Sequence, residues 1–215
     1  MLQPFSFNAV LRPSTRSSPT HYPEPEQELP ELGIEQAAAL VDHLADGPIE
    51  TVGSSITVRT FQTADGVAAD HDVPVLADED IREVEFGLKG VPRDQWDARL
   101  GAILDAWLHG RERDNGFGGE NSYEAKERWD RWWTRYVREH RTDKGTGVVV
   151  VHGAILALML PEACTHEITP DFALTDIQSN AGIVEAHLNP NGTLACAEWN
   201  VGPATGVGVP VASAP

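Results

Sequence analysis

Short runs of apolar residues alternate along this chain with longer stretches in which apolar side chains return every three or four positions. The first pattern suits strands and the second suits one face of a helix. FSFNAVLR predicts an opening strand. After a Pro-rich loop, ELGIEQAAALVDHLAD places Leu32, Ala37, Leu40, Val41 and Leu44 at helical spacing, and Gly47-Pro48 ends the helix. IETVGSS predicts a second strand, and TVRTFQTADGVAADH a second helix behind Ser54, Ser55 and Thr57, all able to cap it. VPVLADEDIREVEFG reads as extended. RDQWDARLGAILDAWLHG and SYEAKERWDRWWTRYVREHR predict two long helices separated by the Gly-rich ERDNGFGGEN. In the second of these, Trp129, Trp132, Trp133 and Tyr136 fall on one helix face that seeks burial.

GTGVVVVHG is the clearest strand, because its consecutive valines, Val148 to Val151, suit a parallel strand covered on both faces. It stops at His152-Gly153, where AILALML starts another helix. NAGIVEAHLN and TLACAEWNV, joined through PNG, predict a hairpin. The alternation as a whole predicts an α/β fold with helices packed on a sheet, and 215 residues suit a single domain over 1–201. VGPATGVGVPVASAP has little to bury, so order is expected to end near Val201, leaving 202–215 as a poorly ordered tail.

Charge narrows the partners. With 16 Lys+Arg against 33 Asp+Glu, the net charge of −17 disfavours nucleic acid and anionic membrane surfaces. A small anionic molecule gripped by a few arginines stays open. The two cysteines, Cys164 and Cys196, have neither CxxC spacing nor a compact framework, which argues against a zinc site or a disulfide scaffold and for a reducing compartment. No leader pattern and no apolar run of about 18 residues is present, so a cytoplasmic location is expected. His43, His71, His109, His140, His166 and His187 lack metal-ligand spacing, and neither a metal nor another cofactor is expected.

Three segments carry candidate chemistry. His152 stands at the carboxyl end of a buried strand, just before a helix, which is where open α/β sheets bind ligands. Arg59 lies in the first turn of the helix after IETVGSS and can present its planar fork over the same edge. Glu83, beside Val84 and Phe86, is a carboxyl whose partial burial would favour a proton-donor role, while Arg82 and Glu85 are expected to face solvent.

PELGIEQA, SSITVRTFQTA, EVEFGLKG, GGENSYEAKERW and VVVVHGAILALML, in this order, resemble the histidine phosphatase superfamily, the phosphoglycerate mutase-like fold, over roughly Phe5 to Trp199. The resemblance implies a three-layer α/β/α sandwich with a mostly parallel sheet and phosphoester hydrolysis or phosphoryl transfer on a small molecule. Arg59 then matches the second phosphate-holding arginine, Glu83 the proton donor and His152 the second histidine. The resemblance also implies that GFGGENSY lines or covers the pocket.

The first strand breaks the pattern. Where the family reads Arg-His-Gly, this chain reads Arg12-Pro13-Ser14, so Arg12 carries over as an anion ligand and the nucleophile does not. Three readings follow. His21 is a candidate substitute nucleophile, ahead of Ser14, Thr15, Ser17 and Ser18, which lack an evident activating base. A second reading keeps the pocket for binding an anion, with weak or altered phosphatase activity, or for acid–base chemistry by His152 and Glu83 without a covalent intermediate. The third is an inactive protein that uses its acidic surface for partner contact.

Overall fold

The computed structural model describes residues 6–11, 26–88, 91–111, 118–140, 145–164, 168–175, 180–202 and 209–210. Arg12, Pro13, Ser14, Thr15, Ser17, Ser18, His21 and His166 lie outside them. The elements in chain order are β1 (Ser6–Leu11), α1 (Glu31–Leu44), β2 (Ile49–Ser55), α2 (Val58–Asp70), β3 (Val75–Asp78), a 3-10 turn (Glu79–Ile81), α3 (Arg93–Leu108) and α4 (Ser122–His140). β4 (Thr146–Val151), α5 (Gly153–Ala163), α6 (Pro170–Thr175), β5 (Ile183–Leu188), β6 (Leu194–Val201) and β7 (Val209–Pro210) complete them.

The strands form one sheet in the order β3-β2-β4-β1-β5-β6-β7. β3, β2, β4 and β1 run parallel, and β5, β6 and β7 extend the sheet antiparallel. The valine run of β4 lies inside the parallel part, and its period-two alternation serves two cores. Val148 and Val150 pack with Leu40, Leu44, Ala64 and Val67 of α1 and α2, whereas Val149 and Val151 pack with residues of α3, α4 and α5. Helices therefore cover both faces, the three-layer arrangement of the phosphoglycerate mutase-like fold. The aromatic face of α4 is buried at Trp129, Trp132 and Tyr136, and the Trp133 indole N–H donates to the Gly192 carbonyl at 3.0 Å.

Two expectations need correction, and two elements come in addition. Leu32 is 54% exposed, because α1 turns its Gly33–Leu40–Leu44 line toward the core, one position round from Leu32. The helix α6 has no counterpart in the sequence reading. Cys164, at the end of α5, and Cys196, on β6, are paired, with Cα atoms 5.8 Å apart. Their 32-residue separation in sequence hides a closeness that only the return of the hairpin past α5 creates, and the pairing removes the argument for a reducing compartment. Beyond the expected elements, β7 pairs with β6, Val209 with Trp199 and Pro210 with Glu198. The outer edge of β6 offers unpaired backbone groups that a short extended segment can satisfy.

Among the described residues, no helix is long and apolar enough to cross a membrane.

Candidate active site

β2 and β4 are neighbours, Ser54 opposite Val150, and the helices that follow them leave in opposite directions. α2 packs on one face of the sheet and α5 on the other. Where consecutive neighbouring strands send their helices to opposite faces, a crevice opens at the carboxyl edge between them. His152 stands on one side of that crevice, as the residue before α5, and Arg59 on the other, in the first turn of α2. β1 borders β4 on its other side and ends at Leu11 opposite Val151, one residue before His152. Arg12 and Pro13 are the next residues in the chain and lie outside those described.

His152 is fully buried, and its Nε2 is 2.9 Å from the equally buried Ser55 Oγ at the end of β2. Which atom donates depends on the ring nitrogen that carries the proton. In either case the contact fixes the plane of the imidazole across the β2–β4 boundary. Arg59 is only 4% exposed, so its cation is held within the protein and not in solvent. The turn leading to it is pinned by Thr60, whose hydroxyl donates to the Ser55 carbonyl at 2.9 Å and lies 2.9 Å from Thr57 Oγ1. Thr57 is the residue that caps α2 by position, but its side chain makes no cap hydrogen bond. Its partner is Thr60 instead. Ser54 donates to the Ser55 carbonyl, so neither serine caps the helix as expected.

Glu83 reaches the same edge by another route. Its Oε1 accepts from the backbone N–H of Ile155 at 3.1 Å and of Val84 at 3.0 Å, and its Oε2 accepts from Ala154 at 3.4 Å. The carboxylate thus sits on the N-terminus of α5, immediately beside His152.

The sequence reading missed two further residues. Arg128 and Glu120 form a buried two-pronged ion pair, Nε to Oε1 at 2.5 Å and Nη2 to Oε2 at 2.9 Å. A signal was present: Arg128 falls on the buried face Ala125–Arg128–Trp129–Trp132–Tyr136 of α4, and a charge on such a face demands a partner. Arg82, expected in solvent, is half-buried and donates to Glu120 Oε1 at 3.3 Å. Glu85 does expose its side chain. Within GFGGENSY, Ser122 and Tyr123 line a cavity with Trp107, Lys126, Met159 and Glu162, a lining that includes none of Arg59, Glu83 and His152. Asn121 caps α4 by accepting from the N–H groups of Tyr123 and Glu124, and Glu124 accepts in return from Asn121.

The family model for the histidine phosphatase superfamily (branch 1) matches residues 16–202. The chain belongs to the histidine phosphatase superfamily. Histidine phosphatase folds also stand among the solved structures it resembles. A mycobacterial glucosyl-3-phosphoglycerate phosphatase superposes with a TM-score of 0.75 at 19% identity, over 93% of this chain and 100% of its own. A phosphoserine phosphatase mutant from Entamoeba histolytica in complex with phosphoserine gives 0.72 at 18% identity, over 91% and 96%. No curated protein sequence matches the chain. Within this superfamily fold, His152 follows β4, Arg59 lies in the first turn of α2 and Glu83 accepts from the N-terminus of α5.

Proposed function

We propose that this histidine phosphatase superfamily member binds a small phosphorylated or otherwise anionic metabolite at the carboxyl edge of β2 and β4, with weak or altered phosphatase activity. Arg59 and His152 hold the anion, and Arg12, which lies outside the described residues, is the further anion ligand that the family resemblance implies. The observation that carries the reading is a buried imidazole anchored by Ser55 after β4 and a buried arginine in the first turn of α2, after the neighbouring strand β2, in a chain of net charge −17. An acidic protein that keeps a cation and an imidazole together at a ligand crevice has reversed its field locally, and this favours an anion. Structural neighbours support the ligand class: the mycobacterial phosphatase was solved with inorganic phosphate, and the Entamoeba enzyme with phosphoserine.

By the resemblance, Pro13 takes the position of the family's nucleophile, and turnover through a phospho-histidine then needs another group, with His21 the candidate. Glu83 favours a second reading. Its carboxylate accepts from backbone N–H groups at the start of α5, next to His152, which suits acid–base chemistry or binding without a covalent intermediate.

Titration calorimetry with inorganic phosphate, alongside a chromogenic phosphate ester assayed from pH 4 to 8, tests the proposal. His152→Ala and Arg59→Ala should each weaken phosphate binding by about 10- to 100-fold, the loss of a charged hydrogen bond worth roughly 1.5–3 kcal/mol. Pro13→His should raise ester turnover above wild type. Loss of turnover in His21→Ala alone identifies the substitute nucleophile. Absence of phosphate binding in the wild type, together with silence in Pro13→His, overturns the proposal in favour of a partner-binding protein.

A further inference from the structure

We propose that the Glu120–Arg128 pair is a positioning device that seats the Glu83 carboxylate on the N-terminus of α5. This rests on the reading that places Glu83 in the anion site. The pair touches the Glu83 segment on both sides. Arg128 Nη1 donates to the carbonyls of Asp80 at 2.7 Å and Arg82 at 2.9 Å, just before Glu83. On the far side, Glu120 Oε2 accepts from the Glu85 N–H at 3.2 Å, and the Glu120 N–H donates to the Glu85 carbonyl at 2.8 Å. Three backbone positions around Glu83 are therefore gripped from the start of α4, and its side chain points across to Ala154 and Ile155.

Apolar burial does not achieve the same result. Ile81, Val84 and Phe86 anchor the segment in the core, and Phe86 lies 5.6 Å from Trp107. Those contacts fix its depth, but hydrophobic contact is non-directional, whereas aiming a carboxylate at two particular N–H groups is a matter of register and angle. A buried ion pair adds little net stability over an apolar pair of the same volume, because desolvation offsets its attraction. Its distinctive contribution is direction, and here four of its hydrogen bonds reach the backbone flanking one carboxylate. Gly119 makes the approach possible: at φ +111° it lets the chain pass so near Glu85 that a Cβ would strike the Glu85 carbonyl.

Amide hydrogen exchange reads the seat of Glu83 directly. Ala154 and Ile155 lie in the first turn of α5, where backbone N–H groups have no partner inside the helix, so the Glu83 carboxylate is what holds them. Glu83→Ala should speed exchange at these two amides, and Arg128→Met should speed it at least tenfold while the amides of Val148 to Val151 keep their rates. Arg128→Lys, which keeps the charge and loses the two-pronged grip, should fall between Arg128→Met and wild type. The double variant Glu83→Ala/Arg128→Met should exchange no faster at these positions than Glu83→Ala alone. If Arg128→Met does not fold, Arg128→Lys and Glu120→Gln are judged by the same criterion. Wild-type exchange at Ala154 and Ile155 in the folded Arg128 or Glu120 variants overturns the proposal, as does an additive double variant. Neither result depends on ester turnover or phosphate binding, so a failed positioning role and a failed functional reading are told apart.

Discussion

At the scale of single residues, the contact between Ser55 and His152 carries most of the site's order. It joins the ends of two strands, so the imidazole is fixed relative to the sheet and not only to its own helix. Ser55→Ala removes the contact but leaves His152 in place. Phosphate affinity should then fall by roughly 3- to 10-fold, the worth of one neutral hydrogen bond at about 0.5–1.5 kcal/mol, and by less than in His152→Ala. Calorimetry on the two variants checks the order. Tyr136 supplies a residue-scale prediction about stability. Its phenol is 2.7 Å from Thr51 Oγ1, and burial pushes it up to about 12, the contact with Thr51 opposing in part. The unfolded chain releases the proton near pH 10 and the folded chain only near 12, so the folded state holds more protons in this window. Stability is unaffected by this group below pH 10 and falls as pH rises from about 10 to about 12, by roughly 2–3 kcal/mol. In Tyr136→Phe that part of the alkaline loss should vanish from urea midpoints measured across the same range.

At the scale of elements, α4 and α5 are the two that build the site's surroundings. α4 buries an aromatic face and one cation, and the cation turns a packing helix into a support for the Glu83 segment. α5 supplies the N-terminus on which Glu83 rests and, at its other end, Cys164. The Cys164–Cys196 pair ties α5 to β6 across 32 residues of sequence, and closing a loop of that length in the unfolded chain is worth about 3–4 kcal/mol. Dithiothreitol should therefore lower the urea midpoint of the wild type and leave a Cys164→Ala/Cys196→Ala variant unchanged, with intact mass under non-reducing conditions reporting the bond. Gly119, on the short link into α4, should tolerate alanine badly. Its positive φ and the crowding against Glu85 put Gly119→Ala at about 2–4 kcal/mol of lost stability, read from the same midpoints.

At the scale of the whole molecule, the site exists because α2 and α5 leave neighbouring strands toward opposite faces. The alternation of runs and periods made that architecture legible in the sequence, since the valines of β4 require cover on both faces and the spacing within the other segments requires helices to provide it. The sequence by itself also placed Arg59 in a first helical turn and His152 after a strand, because strand ends and first helical turns are local features, and Glu83 in an extended segment. It did not give what those residues touch. Ser55 read as a cap, Arg128 was passed over, and the cysteines read as unpaired, because each acquires its partner from 8 to 97 residues away in the chain. Local periodicity records which side of an element is apolar, and so fixes elements and layers. A buried polar atom must instead find its partner wherever the packed chain brings one, and for His152, Glu83 and Arg128 only the tertiary structure decided which atom that is.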